Sequence, residues 1–297
     1  MSPTRITTVY GLLALAAFAV LALSLLSGSV ALEAGQVWSS LSGGDDSLAR
    51  SLIFDLRMPR ALTAFAAGGL LAIAGVLMQV LLRNPLADPF VMGVSGGAAV
   101  AALAAMLFGF AGLAIDAAAT VGALATTLVV FALAHSEGGW TPARLLLTGI
   151  VMAAGASAVV SMLLALSDET QLRGMLFWLM GDLSMSTRPW PLLLLFGIAL
   201  AVTLPFARHL NILARGELQA RVLGAPVRGT RIGIFVASSI LTAATVTTAG
   251  TIGFVGLVTP HLARLMLGAD HRFVLPASAL LGGTYMEIGR ASCRERV

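Results

Sequence analysis

The 297-residue chain is 58% hydrophobic and 11% charged, whereas about a quarter of the residues in an ordinary soluble domain are charged. Its formal charge of +4 includes 18 arginines and no lysine, and these arginines lie between apolar runs and not in aromatic-rich clusters, which argues against nucleic-acid binding. Without lysine the chain has no P-loop, and its single cysteine and four scattered histidines argue against a disulfide, a metal site or a catalytic centre.

Apolar runs that are long enough to cross a hydrocarbon core of about 30 Å follow one another along the chain. They predict an all-α, polytopic integral membrane protein, because lipid tolerates only helices and closed barrels. The first run could belong to a cleaved signal peptide, but it exceeds about 15 residues, and we interpret it as a retained helix. The predicted spans are 9–26, 62–82, 90–108, 115–134, 145–166, 191–206, 232–249 and 252–267, with another beginning near Phe273.

The arginines predict the orientation of these spans. With the amino terminus in the cytoplasm, most arginines fall on the inner side, as the positive-inside rule requires. The exceptions on the outer side are Arg50, Arg57, Arg60, Arg173 and Arg188.

Three loops are longer than a simple connection needs: the predicted outer segments 33–56 and 167–190 and the predicted inner segment 209–231. The predicted outer segment 167–190 is amphipathic, which favours a helix lying at the membrane surface, with a docking surface as the alternative. The predicted inner segment 209–231 is rich in arginine and contains a short helix that begins at Glu217 and ends at Gly224, before Pro226. That segment is either a topology determinant or a rigid surface for a partner.

Two further segments interrupt the apolar pattern. Asn84, Pro85, Asp88 and Pro89 predict a tight inner turn whose polar side chains satisfy freed backbone groups, followed by glycines that permit close helix packing. A second tight turn, containing Gly250 and Gly253, is predicted at the outer side.

Little in the spans points to ion coupling. His261, after Pro260, is interpreted as a packing or capping residue and not as a ligand. No ionisable residue occupies the middle of a predicted span, so an ion-coupled transporter would lack its usual residues, although Gln79 could line a polar path.

Five segments in order resemble the permease subunits of bacterial ABC importers for iron-siderophores, haem and cobalamin, over about residues 9–284. They are LRMPRALTAFAAGGLLAIAGVLMQVLLRNPLADPFVMGVSGGAAVA, RLLLTGIVMAAG, GMLFWLMGDLS, LNILARGELQARVLGAPV and GTIGFVGLVTPHLARLMLGADHRFVLPASALLGG. The resemblance implies the type II permease bundle of ten helices, eight or nine of them present here. It also implies a homodimer in the bacterial plasma membrane, a cytoplasmic ATP-binding subunit and a periplasmic or lipid-anchored substrate-binding protein.

The resemblance also implies roles for particular residues. Glu217, Ala220, Arg221 and Gly224 correspond to the helix that couples the permease to the ATPase. Arg57 and Arg60 correspond to arginines that dock the binding protein, and snorkelling to lipid headgroups is the alternative. The second, third, fifth and eighth spans are expected to face the pathway.

An iron chelate, most often a siderophore, is the expected cargo, with haem and cobalamin as alternatives. A secondary transporter or channel without an ATPase, or a structural or signalling membrane protein, is the competing interpretation.

The last residues depart from this pattern. A single permease domain is predicted over 1–284, and residues 285–297 are interpreted as an atypical tail produced by truncation or by a translated cloning or sequencing adaptor. The basis is that the charges in this tail cannot continue a lipid-facing helix.

Overall fold

A computed structural model describes residues 3–26, 32–42, 47–135, 141–181, 183 and 188–292, and within these ranges all regular structure is helical. A π-helix, Leu52–Arg57, precedes α4, and a 3-10 helix, Pro89–Met92, precedes α5. The α-helices are α1 Pro3–Leu26, α2 Ala34–Leu41, α3 Ser47–Ser51, α4 Met58–Leu82, α5 Val94–Leu107, α6 Leu113–Ala134, α7 Pro142–Leu166, α8 Glu169–Met180, α9 Trp190–Thr203, α10 Ala207–Ala214, α11 Glu217–Val222, α12 Val227–Ala249, α13 Val255–Leu267 and α14 His271–Ser292.

Five helical stretches in the described ranges are long and apolar enough to cross a membrane, and there are six if α9 and α10, which meet at a bend of 65°, are counted as one span. The structure therefore confirms the predicted all-α membrane architecture. Two predicted spans are shorter than expected: α5 has 14 residues and α13 has 13. At about 1.5 Å per residue, neither reaches 30 Å.

Helix α4 lies at the centre of the bundle. In the continuous helical stretch Leu48–Leu82, 94% of the most apolar window is buried inside the protein. Small residues permit this packing, since a side chain at Gly68 would collide with the Gly282 carbonyl of α14 and one at Gly75 would collide with Gly256. The expectation that the second span faces a pathway between subunits is therefore wrong, because helices of its own chain surround it.

The π-helix before α4 follows from Pro59. Proline has no N–H to bond to the carbonyl four residues earlier, so a regular α-helix cannot pass through this position unchanged. The chain winds more widely instead, and the Met58 N–H bonds to the carbonyl of Ile53. Helical structure consequently begins well before the predicted boundary at residue 62.

Helix α14 runs without a break past residue 284. Glu287 is buried, and its carboxylate accepts a hydrogen bond from Arg290 at 3.1 Å. Glu287 continues the helix because it faces protein, whereas the expectation concerned a helix that faces lipid and stays a prediction; Arg294, Glu295 and Arg296 lie outside the described residues. The origin of residues 285–297 stays a prediction, and Cys293 lies outside the described residues.

Candidate functional site

The inner turn after α4 is built by its polar residues. Arg83 adopts a left-handed conformation with φ +49°, which ends the helix. Asn84 Oδ1 accepts a hydrogen bond from the Leu86 N–H at 2.9 Å, and Asp88 Oδ1 accepts one from the Phe90 N–H at 2.8 Å. Pro89 then starts the 3-10 helix, where its missing N–H costs nothing, while Pro85 is exposed within the turn.

The second turn, 250–254, requires glycine at its first position. Gly250 has φ +72°, and a side chain there would collide with Gly181 and the Trp178 carbonyl. Gly253 has open space around it, so its lack of a side chain serves no packing purpose. Thr251 Oγ1 donates to the Leu179 carbonyl at 2.6 Å, which fixes the turn against the end of α8.

This turn lies beside the middle of α4. A side chain at Gly256, two residues after the turn, would meet the Leu71 carbonyl and the ring of Pro89. The Asp88 carboxylate also accepts a hydrogen bond from the Phe254 N–H, which joins the two turns. Since Leu71 is about 20 Å from the start of α4, α13 begins about halfway along α4 and is correspondingly short, while the position of Gly250 and Gly253 at the outer side stays a prediction.

Helix α8 connects the end of α5 to this turn. Gln171 Nε2, near the start of α8, donates to the Leu107 carbonyl at 3.3 Å, and Met175 is fully buried. Helix α8 thus contacts the bundle along one side, and its position at the membrane surface, like the docking alternative, stays a prediction. Its amphipathic pattern arises because one side packs against protein.

Pro260 interrupts the hydrogen bonds of α13. Because it has no N–H, the carbonyl of Gly256, four residues earlier, loses its helical partner. Gln79 of α4 supplies the replacement: its Nε2 lies 3.3 Å from the Gly256 oxygen and 3.2 Å from the Leu257 oxygen. Gln79 Oε1 in turn accepts a hydrogen bond from Arg264. We call these four residues, Gln79, Gly256, Pro260 and Arg264, the Gln79 cluster.

The Gln79 cluster was not predicted from the sequence, although a signal for it exists. A buried proline inside a helix leaves one carbonyl in need of a donor, and a buried glutamine on a neighbouring apolar helix can supply it. Because 177 residues separate Gln79 from Gly256, the pairing cannot be recognised from the sequence alone.

Helix α11 stands out from the bundle. Gly216, with φ +124°, turns the chain into it, and Gly224, with φ +73°, ends it. Ala220 is fully buried, so the prediction that it contacts a partner is wrong: the face of α11 that carries Ala220 packs on the permease itself. Apolar side chains are exposed on the opposite face, at Leu218 and Val222, and at the end of the helix, at Leu223; we call these three residues the α11 ridge.

Glu217 forms two ion pairs, one within α11 and one that joins α11 to α12. Its carboxylate accepts hydrogen bonds from Arg221 at 2.7 Å and from Arg231 of α12 at 3.0 Å. The hydrogen bond from Arg221, with the positive charges of Arg231 and Arg83, holds the pKa of Glu217 below its ordinary value, although burial acts in the opposite direction. The bond to Arg231 holds α11 against the start of α12.

The arginines at the start of α4 differ in exposure. Arg57 is buried, and its Nη1 donates to the Leu25 carbonyl at 2.5 Å. This bond ties the end of α1 to the start of α4. Arg60 is partly buried one turn further on. The docking role of both residues stays a prediction, but Arg57 already has a function within the chain.

The sequence model of the FecCD transport family matches residues 15–295. The chain belongs to the FecCD transport family. The vitamin B12 import system permease protein BtuC of Vibrio cholerae is 41% identical over 253 residues, 84% of this chain and 76% of the relative. The ferric enterobactin transport system permease protein FepD of Escherichia coli is 39% identical over 285 residues, 93% and 84% respectively.

A solved structure of an inward-facing metal-chelate type ABC transporter superposes on this FecCD family member with a TM-score of 0.84. Its sequence is 32% identical, and the match covers 95% of this chain and 88% of the solved chain. The protein is thus a transport subunit and not an enzyme, and a separate ATPase subunit hydrolyses ATP. This division of labour agrees with the absence of lysine, and hence of a P-loop, from the sequence.

Proposed function

We propose that this FecCD family permease moves an iron chelate, specifically a ferric siderophore, into the bacterial cytoplasm by alternating access. It acts as a homodimer with cytoplasmic ATP-binding subunits and a periplasmic or lipid-anchored substrate-binding protein, and its own amino terminus is cytoplasmic. The names of the relatives support a metal-containing chelate or corrinoid as cargo, since they include ferric enterobactin and vitamin B12.

The α11 ridge is the observation that carries the proposal. Leu218 is 78% exposed, Val222 80% and Leu223 64%, on a helix that the Glu217–Arg231 ion pair joins to α12. Adjacent apolar side chains on a protruding, polar segment mark a surface that a partner covers. An apolar cleft in the ATPase suits this ridge, with Arg221 beside it for an acidic partner group.

A second copy of the chain suits the uncovered side of α7. Among the 25 residues of α7, the buried ones are Leu145, Gly149 and Leu163. The exposed side includes Ser157 and Ser161, whose hydroxyls bond back to their own helix at 3.0 Å. Small and hydroxyl-bearing residues permit close helix contact in a membrane, which supports a subunit interface or pathway along this helix.

Arg60 is the better candidate for docking a carboxylate of the binding protein, because Arg57 is buried and bonded to Leu25. Arg57 then supports the docking surface from beneath by holding α1 against the start of α4.

The double substitution Leu218→Asp with Val222→Asp tests the ridge. We expect the ATPase to be lost from the purified complex, together with ATP-dependent uptake, because two carboxylates would have to be buried in the interface. Leu86→Asp is the matched control: Leu86 is 69% exposed in the inner turn after α4, outside the membrane spans and outside α11, and should tolerate the change. Retention of the ATPase by the double variant would refute the docking role.

Uptake into proteoliposomes identifies the cargo. The complete complex with its binding protein should accumulate a ⁵⁵Fe-labelled ferric siderophore only when ATP is enclosed with the ATPase. Preference for haem or labelled cobalamin would overturn the proposed cargo. Uptake by the permease alone, driven by an ion gradient, would overturn the ATP-driven mechanism.

A further inference from the structure

Helix α10 connects the α11 ridge to the bundle. It follows α9 after a 65° bend, and only Arg215 and Gly216 separate its last residue from α11. A displacement of α11 by a partner therefore acts on α10 as well as on α12, to which Arg231 binds α11. The side of α10 that contacts the bundle is apolar, with Ala207, Leu210 and Leu213 buried.

One polar side chain on α10 also binds the bundle. Asn211 Nδ2 donates to Asp270 Oδ1 at 2.7 Å, and Asn211 Oδ1 accepts from the His271 backbone N–H at 2.9 Å. The same oxygen lies 2.6 Å from His271 Nδ1, and His271 is buried. Both ends of the amide are therefore used, and we call Asn211, Asp270 and His271 the Asn211 clamp.

The clamp binds the point at which two helices meet. α13 ends at Leu267 and α14 begins at His271, so Asp270 and His271 form the end of their connection. Asp270 also caps α14, since its Oδ1 accepts from the Arg272 N–H at 3.0 Å. Asn211 satisfies a further free N–H at this helix start, which makes a residue of α10 part of the cap of α14.

The connection continues to the centre of the bundle. Arg264, near the end of α13, donates to Gln79 of α4, and Gln79 holds the broken turn of α13 at Gly256 and Leu257. Direct hydrogen bonds thus link α10 to the α13–α14 connection, and α13 to α4. These side chains come from four helices that are adjacent in the structure and distant in the sequence.

Apolar packing and the clamp restrain α10 differently. Apolar contact is non-directional, so it permits α10 to slide or rotate over its neighbours. An amide with a donor and an acceptor both engaged fixes one orientation and one register. We propose that Asn211 is a positioning residue that transmits the movement of α11 to α13 and α14, so that nucleotide binding in the partner reshapes the bundle.

This inference rests on the proposed function, because it requires an ATPase bound at the α11 ridge. A swap of the two side chains separates the clamp from general stability. Asn211→Asp alone sets a second carboxylate against Asp270, and Asp270→Asn alone still leaves an acceptor for the Asn211 amide. The double variant Asn211→Asp with Asp270→Asn restores one donor and one acceptor with the roles exchanged, and it retains acceptors for the N–H groups of His271 and Arg272.

The measurement needs no knowledge of the cargo. In a Cys293→Ser background, a spin label at Leu265→Cys, an exposed position on α13, reports whether ATP changes the surroundings of that helix. The complex with its ATPase is held in lipid nanodiscs, and ATP hydrolysis is measured on the same samples. Arg208→Asp is the matched control, since it adds the same acidic side chain to an exposed position on α10.

We expect Asn211→Asp to reduce the ATP-induced spectral change at least tenfold while ATP hydrolysis stays within about twofold of the unmodified complex. The swapped pair, Asp270→Asn and Arg208→Asp should retain the change. If Asn211→Asp fails to assemble, recovery of assembly and response by the swapped pair supports the clamp. A full response in Asn211→Asp, or no recovery in the swapped pair, would refute the clamp alone, whereas failure of the unmodified chain to bind the ATPase would refute the proposed function as well.

Discussion

Replacement of Gln79 by leucine tests the assignment of the Gln79 cluster. Leucine has a similar volume, so the change removes hydrogen bonds with little loss of packing. It deprives the Gly256 carbonyl of the donor that replaces the missing Pro260 N–H, and it leaves Arg264 without its acceptor. Gln79 is 5% exposed, so water does not readily take its place.

The magnitude follows from these contacts. A buried carbonyl left without a partner costs about 1–3 kcal/mol, and a hydrogen bond from a charged group contributes about 1.5–3 kcal/mol. The greater apolarity of leucine offsets part of this, so we expect a net loss of about 3 kcal/mol from a domain whose total stability is on the order of 10 kcal/mol. For a chain of this size the melting temperature should fall by about 5–10 °C.

The assay is the apparent melting temperature in detergent, followed by size-exclusion chromatography. Thr242→Val is the control, because Thr242 Oγ1 bonds to the Ser238 carbonyl of its own helix and that carbonyl keeps its helical partner. The control should lose less than about 1 kcal/mol.

A second substitution makes the reasoning refutable. Pro260→Ala restores an N–H at residue 260, so the Gly256 carbonyl no longer needs Gln79. The double variant Gln79→Leu with Pro260→Ala should therefore lose less free energy of unfolding than the two single variants lose together, by about 1 kcal/mol. Strict additivity, or a Gln79→Leu variant that melts with the unmodified protein, would show that Gln79 does not serve this carbonyl.

Three further outcomes are expected. Gly75→Ala should cost about 2–3 kcal/mol in the same melting assay, because its side chain collides with backbone of α13, whereas Gly155→Ala has open space and should be nearly neutral. The pKa of Glu217 is depressed in the folded protein, so its contribution to α11 is complete above the ordinary value of 4.5 and is lost as pH falls through the depressed pKa. Hydrogen exchange of α11 amides, corrected for intrinsic rate, should show this acid-induced opening, and Glu217→Gln should open α11 at neutral pH as well. Arg57→Ala should lower the melting temperature by several degrees, because it breaks a buried hydrogen bond to α1. An unchanged melting temperature would refute this structural role and leave only the predicted docking role for Arg57.

The long apolar runs determined most of what the sequence could predict. Runs such as 115–134 and 145–166 closely match α6 and α7, because the length and composition of a span are local properties. The turn at Asn84 was also predictable, since its residues bond to their own neighbours.

Two kinds of feature could not be predicted in this way: the position of a turn along the bundle, and hydrogen bonds between residues that are distant in the sequence. Gly250 and Gly253 indicate a turn, but the start of α13 can be placed halfway along α4 only from the contacts of Gly256 with Leu71 and Pro89. Asn211 and Asp270 are 59 residues apart, and each looks like an ordinary loop residue until the fold brings them together. The error at Ala220 was avoidable, since three residues on from Glu217 lies nearly the same helical face, and Glu217 points back to α12.

The burial of α4 has a consequence for how the protein is made. The helices that cover it, α12, α13 and α14, come from the last part of the described chain, more than 140 residues after α4 ends. During synthesis α4 therefore contacts lipid or the insertion machinery until these helices are made. Until then its glycines lack the helices that pack on them, and Gln79 lacks the carbonyls of α13. The order of synthesis and the order of packing thus run in opposite directions, and the innermost helix of the bundle is among the last to be enclosed.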